Sequence, residues 1–339
     1  MSTATALTRL GRQTVAFQSP PRLIGHYTVV GPDEASGPLG ATFDAVIDDP
    51  MAGLTTPEKA ERAFYRRAVQ GALAAARLQP EEIDFFIGGD LMDQITSSTF
   101  TARELDIPYL GVFGACSTIC EALGLAAMLT DGGFAERVLV GTASHYHTAE
   151  RQFRYPIELN VQPKATNIRT VTGAAAAVVA PQGDGFKITH ATFGRVVDYG
   201  LTDANDMGSA MAPAAAHTLL AHFEETQRTP GDYDLILTGD LSRVGQKFFR
   251  SLVKEAGFSL GETHKDAGVL IFSGTQKPGA GGSGAACSAV TTLGYVVREM
   301  VQGRFRRVLI LATGALLSPK TTLQKESIPT IAHGIVLEV

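Results

Sequence analysis

The sequence predicts an α/β protein made by duplication, with two apolar helices buried between its halves. Three observations carry this. Gly89-Asp90-Leu91 recurs as Gly239-Asp240-Leu241, an offset of 239 − 89 = 150. GFAERVLVGTASH (133–145) recurs as GRFRRVLILATGA (303–315), an offset of 303 − 133 = 170, and Gly124 recurs as Gly294 at the same offset. Matched signals in one order mark an internal repeat. The third observation is the character of residues 109–131 and 282–300. The first reads as a short strand, a Gly-Ala turn and a long helix whose one carboxylate before Asp131 is Glu121. The second is again a Gly/Ala/Cys turn and a mostly apolar helix. A helix apolar on nearly every side is buried on nearly every side.

The elements follow in order. Residues 23–30 read as a strand and 31–40 as loop. Thr56-Pro57-Glu58 starts a helix, with a capping hydroxyl and a proline at the first position. Small and apolar residues at helical spacing carry it to about residue 76. Residues 83–88 form a buried strand, 97–105 a helix and 109–113 a strand leading to Cys116. The apolar helix then runs to Asp131 and stops at Gly132-Gly133. Residues 137–143 are a strand, 144–169 a polar loop and 172–180 a strand of small residues. The second part repeats this with strands over 233–238 and 331–339, and 303–315 matches 133–145 with its strand. The two offsets differ by 170 − 150 = 20, which places an insertion between the second Asp-terminated strand and its core helix. The expected halves are 1–184 and 185–339. Alternating strands and helices argue for a mostly parallel sheet covered on both faces.

Composition narrows the function. A chain of 339 residues, 45% apolar and 19% charged, is a well-buried globular protein of two domains or one large α/β unit. Net charge of −5 gives no electrostatic case for a nucleic-acid partner. The one long uncharged stretch follows Cys116, contains Glu121 and reads as core. The first 17 residues lack the apolar centre of a signal peptide, so the expectation is a soluble protein. Cys116, Cys120 and Cys287 are too few and scattered for a disulfide framework, and no Cys/His spacing suits zinc.

Cys116 is the first candidate for chemistry, with Ser117 beside it. A thiol where a turn becomes a helix faces unpaired N–H groups and the positive end of the dipole, a setting that favours thiolate. It reads as a nucleophile or ligand-contacting thiol, against the plainer reading of a small buried hydrophobe. Ligand sites in parallel sheets lie at strand carboxyl ends. Asp90 and Asp93 therefore belong on the same side as Cys116. They could hydrogen-bond a ligand or hold a Ca²⁺; the alternative is capping of the next helix. The stretch 145–154 holds His145, His147, Arg151 and Arg154, with Phe153 able to stack on an aromatic ring. Arginine suits carboxylate recognition, and the N–H groups after Gly114 offer an anion site. The remaining histidines show no partner pattern. Arg304-Phe305-Arg306-Arg307 is a solvated helix end or a docking face for anionic lipid or a partner.

The duplicated halves with a cysteine on a buried helix resemble the thiolase superfamily, which includes ketoacyl synthases. GPLGATFD (37–44), GDLMDQI (89–95), GVFGACST (111–118), DGGFAERVLV (131–140), HTAERQFRYP (147–156), TVTGAAA (170–176), TGDLSRVG (238–245) and ATGALLSP (312–319) resemble the stage V sporulation protein AD family in particular. The resemblance implies a thiolase-like duplicated fold, layered αβαβα, with two buried central helices. It implies binding of dipicolinic acid (pyridine-2,6-dicarboxylate), free or as its calcium chelate, and a role in its uptake into the developing spore. It also implies work with membrane proteins of the same operon, a peripheral place at the inner membrane of the forespore or spore, and a homodimer. No other cofactor is implied. In ketoacyl synthases a His follows the strand matching 233–238 and an Asn or His precedes the second core helix. Here the first place reads Gly239-Asp240-Leu241-Ser242 and the second 281–287, with neither His nor Asn. The expectation is therefore a binding protein without condensing activity. The alternative is an acyltransferase using Cys116 with His145 or His147 as base, and a third reading is a scaffold for membrane partners.

Overall fold

The computed structural model describes residues 8–154, 159 and 164–339. Up to residue 180 the elements are β1 (Thr14–Ala16), β2 (Arg22–Val30), α1 (Pro32–Ala35), β3 (Ala45–Val46), α2 (Pro57–Ala76), β4 (Phe85–Asp90), α3 (Thr96–Leu105), β5 (Tyr109–Gly111), α4 (Thr118–Asp131), β6 (Val138–Ser144), α5 (Tyr146–Phe153), β7 (Ile168–Thr170) and β8 (Gly173–Ala180). Then follow β9 (Phe186–Thr192), α6 (Met207–Thr226), β10 (Leu235–Thr238), α7 (Ser242–Glu255), β11 (His264–Asp266), α8 (Ala267–Leu270), β12 (Gly281–Ser283), α9 (Ala285–Val290), α10 (Val297–Val301), β13 (Arg307–Ala315), α11 (Pro319–Leu323) and β14 (Thr330–Glu338). The stretch expected as a polar loop, 144–169, contains α5 and the start of β7; its residues 155–158 and 160–163 lie outside the described residues, as do 1–7.

The local signals act as physical chemistry requires. Thr56 accepts a hydrogen bond from the Lys59 N–H, and Pro57 occupies the first helical position of α2, where its missing N–H has no partner to lose. α2 buries Phe64, Tyr65, Val69 and Leu73 against β2, β6 and β8. The repeat is visible in three dimensions. α2 and α6 start 207 − 57 = 150 residues apart, as β4 and β10 do at 235 − 85 = 150. α8 and the turn before β12 fill the expected insertion.

The strands form one mixed sheet in the order β11-β10-β13-β14-β9-β2-β8-β6-β4-β5, while β7 and β12 pair separately. The expected mostly parallel sheet needs correction. β5, β4 and β6 are parallel at one end and β11, β10 and β13 at the other. The central strands β8, β2, β9 and β14 are antiparallel to their neighbours in this order, and the short β3 adds to β2 in parallel. β8 and β14 return directly alongside β6 and β13, so no helical crossover is needed there.

The layers run α–β–α–β–α. α2 and α3 cover one outer face and α6 with α7 the other. α4 and α9 lie between, with α4 packed on β4 and β6 on one side and on β13 and β14 on the other. This explains their apolar composition: Ile119, Leu123, Ala126 and Ala127 of α4, and Ala286, Cys287 and Val290 of α9, share one core. A π-helical segment, Thr291–Val296, joins α9 to α10. Among the described residues, no helix is long and apolar enough to cross a membrane.

Candidate functional site

A cavity of about 420 Å³, its open mouth included, lies where the parallel strands present their carboxyl ends. Leu91 follows β4, Cys116 follows β5, α5 after β6 supplies Ala149 and Phe153, and Ala315 ends β13. Thr170 and Ser283 are paired positions in the small β7–β12 sheet and both line the space. The walls are otherwise apolar, with Phe113, Met207 and Leu317. Arg154 is the charged side chain among the lining residues.

Two glycines make this geometry. Gly314 in β13 lies so close to the Cys116 turn that a Cβ would stand 2.1 Å from the Gly114 carbonyl oxygen. Gly284 has φ +101°, a region L-residues avoid, and a Cβ there would meet Ser144 Oγ at 2.7 Å. That contact is in use: Ser144 Oγ accepts from the Ala286 N–H and so helps to start α9.

Cys116 sits in a 3₁₀ turn, Ala115–Ser117, just ahead of α4. It is 7% exposed. The expectation that the helix end would favour thiolate is overturned by its surroundings. Burial pushes the thiol well above its usual pKa, and the Asp240 carboxylate pushes it further. The link to Asp240 runs through a hydroxyl. Ser283 Oγ donates to Asp240 Oδ2 at 2.7 Å and lies 4.0 Å from Cys116 Sγ. A hydroxyl has one proton, and that of Ser283 is committed to Asp240, so the thiol is the donor toward Ser283. Asp240, fully buried, also accepts from the Gly284 N–H at 3.2 Å and from Thr313 Oγ1 at 2.6 Å. Burial raises its pKa as well, while these hydrogen bonds oppose the rise. The places where a ketoacyl synthase holds His and Asn or His are thus occupied beside Cys116 by Asp240 and Ser283. Neither can act as a neutral base toward the thiol in the way an imidazole does.

The other sequence candidates fall in different places. Ser117 is buried and donates to the Gly114 carbonyl at 2.6 Å, closing the turn. Asp90 is fully buried, and its two oxygens accept from the N–H groups of Met92 (2.9 Å) and Ser98 (2.7 Å), which is the capping arrangement. Burial raises its pKa to about 7. Asp93 is exposed at a neighbouring hollow that shares Phe113 with the main cavity. His145 caps α5: its Nδ1 accepts from the His147 N–H at 3.2 Å, and Nε2 lies 2.8 Å from the Pro50 carbonyl. That pairing fits the neutral ring, and burial lowers its pKa to about 4. His147 stands edge-on to the His145 ring at a centroid distance of 5.4 Å. Arg151 forms a half-exposed ion pair with Glu58 and is not among the lining residues. Arg154 and Phe153, from the same stretch, are. Among the described residues, no group of three or more His, Cys, Asp or Glu side chains is placed to hold a metal ion.

With this geometry in hand, comparison with known proteins gives a consistent answer. The sequence model of the family described as "Stage V sporulation protein AD (SpoVAD)" matches residues 11–338. The chain is 48% identical over 328 residues to stage V sporulation protein AD of Bacillus subtilis (strain 168), covering 97% of each. Among solved structures it is similar to 3-oxoacyl-[acyl-carrier-protein] synthase III from Aquifex aeolicus VF5, with a TM-score of 0.59 at 14% identity over 94% of this chain and 100% of that one. It is also similar to an OleA variant of Xanthomonas campestris solved with lauric acid and lauroyl-CoA, with a TM-score of 0.58 at 15% identity over 94% and 99%. At these identities the likeness shows a thiolase-like fold.

Proposed function

The chain belongs to the stage V sporulation protein AD family, and from that premise we propose that it binds dipicolinic acid in the cavity at Cys116 and serves its uptake into the developing spore without condensing activity. The observation that carries this is the Cys116–Ser283–Asp240 chain. It keeps the thiol protonated with its S–H directed to Ser283, so Cys116 presents a ligand with a neutral, polarisable sulfur and not with a nucleophile. The cavity adds one guanidinium, the hydroxyl of Thr170, and the rings of Phe113 and Phe153. That is the complement of a small planar aromatic acid. A calcium chelate would bring most of its own oxygen ligands, and Asp93 lines the hollow that adjoins the cavity at Phe113. We further assign the halves 1–184 and 185–339 to a duplicated unit, a homodimer as the working form, and membrane proteins of the same operon as partners at the inner membrane of the forespore or spore.

The second reading, an acyltransferase using Cys116, draws on the fold shared with acyl-condensing enzymes. The two readings separate in one experiment. The protein is incubated with an acyl-CoA and its mass measured, in parallel with equilibrium dialysis against dipicolinate. We expect dipicolinate retention and no mass increase at Cys116. Stable acylation of Cys116 would make the protein an enzyme, and dialysis without retention would remove dipicolinate as its ligand.

A further inference from the structure

Arg154 is unusual among the arginines because its side chain is only 3% exposed while lining a cavity. A buried guanidinium needs its five donors satisfied and its charge countered. Two directions are provided for. One terminal nitrogen pairs with the carboxylate of Glu150, one turn earlier on α5, and the other donates to the Ile168 carbonyl at 2.9 Å. The third is not. Nε is buried and has no hydrogen-bond partner among the described residues. An unpaired buried donor on a residue that lines a cavity gains a full hydrogen bond from any acceptor that reaches it.

We propose that Arg154 selects for a carboxylate on the ligand and that Glu150 is its built-in competitor. This rests on the reading of the cavity as a binding site for a small aromatic acid. The ligand carboxylate takes the unpaired Nε edge, and the ring lies against Phe153, the preceding residue on the cavity wall. Glu150 already neutralises part of the guanidinium charge. The pocket therefore holds its ligand less tightly than a free arginine would allow, which suits a protein that must pass its cargo on. Arg154 is where α5 ends: its φ of −129° and ψ of −96° leave the helix and turn the side chain inward, whereas Arg151 stays outside on Glu58.

The test is calorimetric titration of the full chain with pyridine-2,6-dicarboxylate, pyridine-2-carboxylate and the neutral pyridine-2,6-dicarboxamide. Arg154→Gln should weaken both acids by roughly 10- to 100-fold and leave the diamide unchanged, as expected for loss of a charge-assisted hydrogen bond. Glu150→Gln should tighten both acids several-fold, again without effect on the diamide. Equal binding of the acids by wild type and Arg154→Gln overturns the role given to Arg154 while the cavity reading stands. Weaker or unchanged acid binding by Glu150→Gln overturns the competitor role, and decides the matter if Arg154→Gln does not fold. Absence of any acid binding by the wild type overturns the cavity reading and this proposal with it.

Discussion

At Cys116, burial and Asp240 act in the same direction, and the helix end that follows is too weak to oppose them. This gives a direct prediction. The rate of alkylation by iodoacetamide should be low at neutral pH and should climb only above the usual thiol range, because the thiolate is the reactive species. Asp240→Asn removes the charge and should lower the thiol pKa, raising the rate at neutral pH about tenfold for each unit of change. A wild-type rate already at its plateau at neutral pH would mean a thiolate and would favour the enzyme. Much of this residue-scale picture was legible in the sequence. The placement of Cys116 after Gly114-Ala115 and the lack of His at Asp240 could both be read. Ser283 could not, because a serine in a glycine-rich run looks like a turn residue until its Asp240 partner, 43 positions away, is known. Arg151 and Arg154 were indistinguishable by type. Their difference depends on the residue at which α5 ends.

At the scale of elements, the site depends on the close approach of β13 to the turn carrying Cys116. Gly314→Ala puts a methyl group into the Gly114 carbonyl, and both pieces of backbone are held by their own sheets and helices. We expect a loss of about 1–3 kcal/mol in chemical denaturation, the usual range for overpacking. Gly231→Ala is the control, since its Cβ would meet nothing closer than 3.7 Å. A Gly314→Ala protein as stable as the control would contradict the packing described. Elements with a patterned face were legible: α2 shows its cap, its proline and its helical spacing. α6 was not. It is Ala-rich, holds Pro213 and buries residues around most of its circumference, so it has no polar stripe to reveal its period. Its place in the repeat, 150 residues after α2, appears only once the fold is seen. The strand directions were misread for a related reason: alternation of helices and strands predicts crossovers, but β8 and β14 each pair antiparallel with the preceding strand of the same sheet, β6 and β13.

The whole molecule stores many ionisable groups away from water, and their sum sets its response to pH. Burial holds Glu61 at about 8 and Glu34, Asp90 and Asp266 at about 7. In the unfolded chain such carboxyls titrate near about pH 4. The folded form therefore keeps their protons more tightly. Their stabilising contribution is full below about pH 4 and is lost as the pH rises through their folded values. Seven histidines are shifted the other way by burial: His145, His190 and His333 to about 4, His222 and His264 to about 3, with His26 and His217 also lowered. Their contribution is full above about pH 6.5 and is lost on acidification. The two sets oppose each other in mild acid, and between about pH 6.5 and 8 the carboxyls outweigh the histidines. Urea denaturation should show stability falling between about pH 6.5 and 8, with a shallower fall in Glu61→Gln. Greater stability at the alkaline end would contradict this assignment.

We propose that this thiolase-like fold serves as a receptor for a small aromatic diacid, with Cys116 as a protonated contact. Titration of the full chain with pyridine-2,6-dicarboxylate, alongside Cys116→Ala, tests it most directly. Saturable binding by the wild type, lost or strongly weakened in Cys116→Ala, is the expected result. No saturable binding by the wild type, or binding that Cys116→Ala leaves unchanged, would contradict it.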